Sequence, residues 1–251
     1  MSFSAKLMRF YFNFVYNPVY DFSTGRLHRY YTLQKACIGK FEFKDNDTVL
    51  CVGVGTGNEV LHILRANRNV SIVGIDYSET ALQRASEKAL SLGKEIEVLN
   101  VDAQHLEFAT GSFDKVLCLH VMDFMENNRQ ATREIFRVLR DGGQFVITYP
   151  SDKEDIKLGS GLLKDTINNG LASGKNRIRV ILGLVPRFLM GFVYLPQLIL
   201  RPKKNIYSRR ELRAMFAQLT DGGFHIEEDP VYQDFIVYGR KLTIGGKTDA
   251  F

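Results

Sequence analysis

The segment V-G-V-G-T-G-N-E, Val52 to Glu59, places Gly53, Gly55 and Gly57 at alternate positions between an apolar run and a polar, helix-like one. Glycine lets a backbone take positive φ and approach a ligand closely. A helix that starts there offers its N-terminal N–H groups to a polar or anionic group. The same glycines also suit a tight strand-to-helix turn that binds nothing. Asp76 follows in V-G-I-D, about 20 residues on, where a carboxylate can accept hydrogen bonds from ribose hydroxyls. It could instead cap a helix, a task that Ser78 makes less necessary. Asp102 ends N-V-D, and His120 ends K-V-L-C-L-H. An imidazole in that place can act as a general base, or it can line a pocket through its backbone. Tyr149, at the end of Q-F-V-I-T-Y, and His28 are further candidates for proton transfer, while His62, His105 and His225 read as structural or exposed.

Hydrophobic patterning predicts the elements that position these residues. Residues 48–54 read as a buried strand and 57–67 as a helix with Val60, Ile63 and Leu64 on one face. Residues 70–75 are a second strand. A helix is predicted over 78–92, capped by Ser78 and stopped by Gly93. Strands over 95–101 and 113–120 follow, then a helix over 127–140, a turn at Asp141-Gly142-Gly143 and a strand over 144–149. A helix over 208–219 leads to strands 223–228 and 231–239, separated only by Asp229-Pro230. So short a link fits a hairpin and not a parallel crossover. Alternating strands and helices imply an α/β fold, a mostly parallel sheet covered on both faces. Gly53, Asp76, Asp102 and His120 then fall at the carboxyl ends of strands, where open α/β sheets bind ligands.

Two cofactors fit such a turn, a nicotinamide dinucleotide and S-adenosylmethionine. The dinucleotide fingerprint wants a further glycine where this chain has Asn58. With V-L-C-V-G-V-G-T-G-N-E, Asp76, Asp102-Ala103, G-S-F-D-K-V-L-C-L-H-V-M-D-F, D-G-G-Q-F-V-I-T-Y-P and the closing hairpin together, the chain resembles the class I S-adenosylmethionine-dependent methyltransferases. The resemblance covers residues 45–150 closely and 208–240 in architecture. It implies a Rossmann-like seven-stranded sheet, mostly parallel with a C-terminal antiparallel hairpin. It also implies cofactor contacts from Gly53, Gly55 and Gly57, from Asp76 at the ribose, from Asp102 and Ala103 at the adenine edge, and from Tyr77 and His120. The element Y-N-P-V-Y-D is similar to one in the ubiquinone and menaquinone biosynthesis C-methyltransferases, where a tyrosine closes over the cofactor. That carries over to Tyr20, although Tyr16 and Tyr20 are also spaced to pack on one helix face. L-H-V-M-D-F-M-E-N-N departs from those quinone enzymes, which leaves the substrate open.

The chemistry implied is methyl transfer from a sulfonium. Charge is neutralised and not created, so positioning supplies most of the acceleration, and a base such as His120 assists if the acceptor must lose a proton.

Composition bounds the rest. The 251 residues are 45% hydrophobic and 24% charged, with a formal net charge of +5. That suits one α/β domain and does not require an anionic partner; no nucleic acid is expected. Cys37, Cys51 and Cys118 show no paired or zinc-like spacing, so a reducing compartment and no metal site are expected. The N-terminal twenty residues lack a secretory pattern, and no run reaches 18 uncharged apolar residues. A cytoplasmic protein, peripheral on a membrane at most, is the expectation.

Two stretches point toward lipid. The first 31 residues hold ten of the chain's 29 aromatics, and Phe3, Leu7, Phe10 and Phe14 recur at helical spacing. This is either a lid over the cofactor or an interfacial helix. Residues 176–210 carry eight Lys/Arg and no acid, and Arg187 is the only charge between Val180 and Leu200. Such a segment suits a surface among anionic headgroups, the roof of a long-chain substrate pocket, or a buried hairpin. The expected organisation is a lid (1–44), a cofactor-binding core (45–150), a substrate- or membrane-facing insert (151–207) and a helix plus hairpin completing the core (208–251). The reading is methyl transfer to a lipophilic small molecule, a quinone precursor first, with a phospholipid amine or a lipophilic natural-product hydroxyl as alternatives. Outside that class stand a nicotinamide-dependent oxidoreductase and a non-catalytic membrane-binding module.

Overall fold

The computed structural model describes residues 7, 9–16, 28–66, 69–151, 206–220, 222–229 and 234–242, with isolated positions between 167 and 178. Five parallel strands come first: β1 (Thr48–Val52), β2 (Ser71–Ile75), β3 (Glu97–Leu99), β4 (Phe113–Cys118) and β5 (Leu139–Tyr149). β6 (Phe224–Glu228) and β7 (Phe235–Arg240) form the closing hairpin. The sheet order is β3-β2-β1-β4-β5-β7-β6. β7 lies beside β5 and antiparallel to it, with Tyr149 opposite Phe235.

The strands are apolar along their whole length because both faces are covered. Leu50, Val52, Val116, Phe145 and Ile147 point to one face and pack with Ile135 and Phe136 of α4 (Asn128–Val138) and Leu212 and Phe216 of α5 (Arg209–Thr220). Val49, Cys51, Leu117 and Val146 point to the other. They meet α1 (His28–Ile38), α2 (Asn58–Ala66) and α3 (Glu79–Leu90) through Cys37, Ile63, Leu82 and Ala85. Ser78 caps α3 by accepting from the Ala81 N–H at 3.2 Å, and Asn127 caps α4 by accepting from the Gln130 N–H at 3.1 Å. The three cysteines are buried small hydrophobes. Burial pushes the Cys37 thiol up to about 12, far from a reactive thiolate.

Two boundaries differ from the sequence expectation, for local reasons. The D-G-G segment does not separate a helix from a strand. α4 stops at Val138, and β5 already runs from Leu139 through Gly142 at φ 70°, with the β4–β5 register shifting between Phe113 and Lys115. Gly143 takes part in that irregularity because a Cβ there would lie 2.8 Å from the Arg140 carbonyl oxygen. The hairpin link is also longer than Asp229-Pro230. β7 begins at Phe235, and the Asp229 N–H donates to the Asp234 carbonyl at 2.9 Å. Asp234 therefore sits at the mouth of the hairpin, outside the strand.

Ahead of α1 a π-helical turn, Phe12–Tyr16, lies over the sheet's carboxyl edge. Arg9 pairs with Glu79 at 2.6 Å, and Ser78 and Thr80 donate to Asn13 Oδ1 at 2.5 and 3.3 Å.

Candidate functional site

The three glycines after β1 all have positive φ, 63° at Gly53, 52° at Gly55 and 80° at Gly57, but they answer to different neighbours. A Cβ on Gly53 would lie 2.2 Å from Val121 Cγ2, and one on Gly57 would lie 2.7 Å from the Ala85 Cα in α3. Those two glycines let the β4 loop and α3 close on the turn. Among the described residues, a Cβ on Gly55 would meet nothing nearer than the Gly53 carbonyl oxygen at 3.9 Å. Gly55 alone leaves an open side where a ligand can lie against backbone. Asn58 holds α3 instead of clearing room: its Oδ1 accepts from Lys88 Nζ at 2.7 Å.

Asp76 follows β2 and faces this turn. Its Oδ2 accepts from the Gly55 N–H at 2.9 Å and its Oδ1 from the Ser78 N–H at 2.9 Å. Burial pushes the carboxyl above its ordinary value, and the N–H groups of Ser78, Gly55 and Tyr77 pull it back down. Tyr77 is enclosed, its ring 5.8 Å from Phe12 of the N-terminal turn. Phe12 in turn lies 5.4 Å from Phe124, which follows β4. One aromatic of the N-terminal turn thus bridges the loops after β2 and β4. Tyr20 lies outside the described residues, as do Phe3 and nearly all of the 151–207 insert. His28 opens α1, and its side chain is outside them too.

Asp102 follows β3 and is exposed. Its Oδ1 accepts from the Gln104 N–H at 2.9 Å, and Gln104 Oε1 accepts from the Asn127 N–H at 2.7 Å. That ties the β3 loop to the start of α4. Ala103 beside it is buried.

His120 follows β4 with φ 55°, a left-handed backbone at a non-glycine residue. Such strain persists only where the surroundings fix it. Here the His120 N–H donates to Thr148 Oγ1 at 2.7 Å, and His120 Nδ1 lies 2.7 Å from Asp234 Oδ2. Asp234 is 1% exposed and His120 20%. Tyr149, by contrast, does not reach the crevice. It is fully buried, its hydroxyl shares a hydrogen bond with Thr132 at 2.7 Å, and its ring packs edge-on to Tyr207 and Phe216. Burial drives that phenol well above its usual range, which suits a core residue and not a proton carrier.

Two acids at this edge escaped the sequence reading. Glu59 in the first turn of α2 looks like a solvent-facing acid, yet it accepts from Gln34 Nε2 of α1 at 2.6 Å. Burial raises its carboxyl, while Gln34 and the nearby His120 and Lys88 lower it. Asp234 lies in a segment that reads as mid-strand. Its signal was the antiparallel hairpin itself, because a reversed last strand begins at the edge where the parallel strands end. Glu59, Asp76 and Asp234 give the crevice a negative character. A pyrophosphate at the start of α2 would meet the Glu59 carboxylate, whereas a sulfonium is attracted.

Comparisons with known proteins agree with this geometry. Residues 50–147 match the family described as a methyltransferase domain. A phosphatidylethanolamine N-methyltransferase of Cereibacter sphaeroides is 33% identical over 131 residues, 51% of this chain and 62% of that protein. YrhH of Bacillus subtilis, a methyltransferase by name, is 30% identical over 138 residues, 53% of this chain and 75% of that one. The ubiquinone/menaquinone biosynthesis C-methyltransferase UbiE of Geotalea daltonii is 30% identical over 134 residues, 52% of this chain and 55% of its own length. The chain thus spans less than two thirds of two of these three relatives. In fold, a SAM-dependent methyltransferase from Aquifex aeolicus superposes with a TM-score of 0.53 at 17% identity, over 83% of this chain and 89% of that one.

Proposed function

We propose, from the premise that this chain belongs to the class I S-adenosylmethionine-dependent methyltransferases, that its acceptor is a lipophilic small molecule met at a membrane surface. When bound, S-adenosylmethionine supplies an activated methyl group on a sulfonium. The residues present fit it: an open backbone face at Gly55, a carboxylate at Asp76 beside that face, and acids around the position of a cation. In this reading Asp76 takes the ribose hydroxyls, with Gly53, Gly55 and Gly57 shaping the turn and Tyr77 walling one side. Asp102 and Ala103 take the adenine edge, His120 borders the methyl, and Tyr20 closes from the lid.

The observation that carries the lipophilic acceptor is the two-sidedness of the N-terminal segment. Phe12 and Asn13 turn inward to the loops around the crevice. Leu7, Phe10, Phe14 and Val15 turn outward, 42%, 58%, 66% and 40% exposed. An apolar face on the piece that roofs the crevice suits contact with acyl chains. The basic, acid-free stretch 176–210 adds attraction to anionic headgroups. Among the described residues no helix is long and apolar enough to cross a membrane. A quinone precursor is the first choice of acceptor and a phospholipid amine the second; named relatives act on each.

The test incubates the protein with methyl-labelled S-adenosylmethionine and a total lipid extract, with mass spectrometry of the products. Label in a lipid-soluble product supports the reading. Label only in water-soluble products, with no flotation on anionic liposomes, overturns it.

A further inference from the structure

Lys88 stands in the last turn of α3, where a lysine ordinarily serves as a partner for the helix's carbonyl end. Its ammonium goes elsewhere. Nζ donates to Asn58 Oδ1 at 2.7 Å and to Thr56 Oγ1 at 3.1 Å, the residues on either side of Gly57. Thr56 is 1% exposed and Lys88 is half-buried. Ala85, three positions earlier on the same face of α3, presses on the same turn, where a Cβ on Gly57 would lie 2.7 Å from its Cα. The turn is therefore gripped at three consecutive residues, 56 to 58: by backbone approach at Gly57 and by one cation at its two neighbours. Gly55, just before them, is held from the β2 side through the bond from its N–H to Asp76 Oδ2. Glu59, just after them, lies near enough for Lys88 to help lower its carboxyl.

The strand order fixes which part of the cofactor lies over this grip. S-adenosylmethionine carries its adenine, ribose, sulfonium and amino-acid end in line. β3, β2 and β1 are successive neighbours in the sheet. With adenine at Asp102 after β3 and ribose at Asp76 after β2, the amino-acid end falls past β1, on the open face of Gly55 and the start of α2. We propose that Lys88 is a positioning residue for that end: by holding Thr56 and Asn58 it sets the path of the turn against which the amino-acid end lies, without touching the cofactor itself. A ligand that stops at the sulfur does not need it. The inference rests on the cofactor reading of Asp76 and Asp102 and not on the lipophilic acceptor.

The experiment compares two ligands by calorimetric titration of the full chain: S-adenosylhomocysteine, which has the amino-acid end, and methylthioadenosine, which ends in a methyl group on sulfur. Lys88→Met keeps the apolar stem of the side chain against α3 and removes the ammonium. The variant should bind S-adenosylhomocysteine about tenfold more weakly, and methylthioadenosine within about twofold of the wild type. Lys88→Arg, which keeps the charge and its donors, should recover most of the loss. Asn58→Ala removes the shorter of the two bonds from the other side. It should show the same selective loss and serves if the methionine variant does not fold. Unchanged affinity for S-adenosylhomocysteine overturns the proposal. So do equal losses for the two ligands, because a merely structural lysine would weaken both alike. Absence of S-adenosylhomocysteine binding by the wild type would overturn the cofactor reading and this inference with it, whereas binding by the wild type with no effect at Lys88 overturns this inference alone.

Discussion

The two halves of the crevice floor are built in opposite ways. On one side, β1, β2 and β3 deliver Gly55, Asp76 and Asp102 from one continuous stretch of 55 residues, 48–102, each just past its own parallel strand. On the other side, β4, β5 and β7 deliver His120, Thr148 and Asp234 from distant parts of the chain, and one of the three strands is reversed. The first half is a local motif repeated by each βα unit. The second exists only after the whole sheet has assembled. The two halves should therefore fail separately under mutation.

The sharpest way to break that separation is Asp76→Ala. It removes the carboxylate from both the Gly55 and the Ser78 N–H groups and from the ribose. Charge-assisted hydrogen bonds contribute roughly 1.5–3 kcal/mol each, so S-adenosylhomocysteine should bind about 100-fold more weakly or worse in a calorimetric titration. Unchanged affinity would remove Asp76 from the ribose.

The glycines sharpen the comparison within the cofactor half. Gly57→Ala would place its methyl carbon 2.7 Å from the Ala85 Cα, which is backbone and cannot step aside, at φ 80°. Overpacking and left-handed strain together should lower stability by roughly 2–4 kcal/mol, read as a fall in the denaturant midpoint. Gly55→Ala has the strain at φ 52° but no clash, so roughly 1–2 kcal/mol is expected. Its methyl group occupies the open face, so cofactor affinity should fall about tenfold. If both variants lose only stability, the Gly55 face holds no ligand.

These contrasts also explain what the sequence made legible. The strand-end placement of Gly53, Gly55, Gly57, Asp76 and Asp102 was readable because each obeys a strand-end rule over a few residues. The hairpin was readable from its short link, although its true length was not, and that error hid Asp234. Glu59 was hidden for another reason. A first-turn acid on an amphipathic helix reads as a dipole partner in solvent, and only the packing of α1, which brings Gln34 to it, turns it inward. Tyr149 was misjudged by one face of the pleat. It ends the right strand, yet its side chain points to α4 and α5 and not out of the sheet's edge.

The smallest effect is expected at the N-terminal segment, where a third comparison applies, that between its two faces. Phe10 and Phe14 lie 4.9 Å apart on the outer face, 58% and 66% exposed, so replacing both by Ser should leave stability within roughly 0.5 kcal/mol. Only part of each ring remains to be buried against lipid. If the rings only graze the lipid, burying about 20 Å² of each at about 25 cal/mol per Å², the pair accounts for about 1 kcal/mol, near a fivefold loss of binding to anionic liposomes. S-adenosylhomocysteine affinity, which depends on the inner face through Phe12 and Asn13, should not move. Weakened flotation with intact cofactor binding makes the outer face a lipid contact. Intact flotation with weakened cofactor binding would make the segment a lid alone, and the membrane contact would then have to come from the basic stretch 176–210.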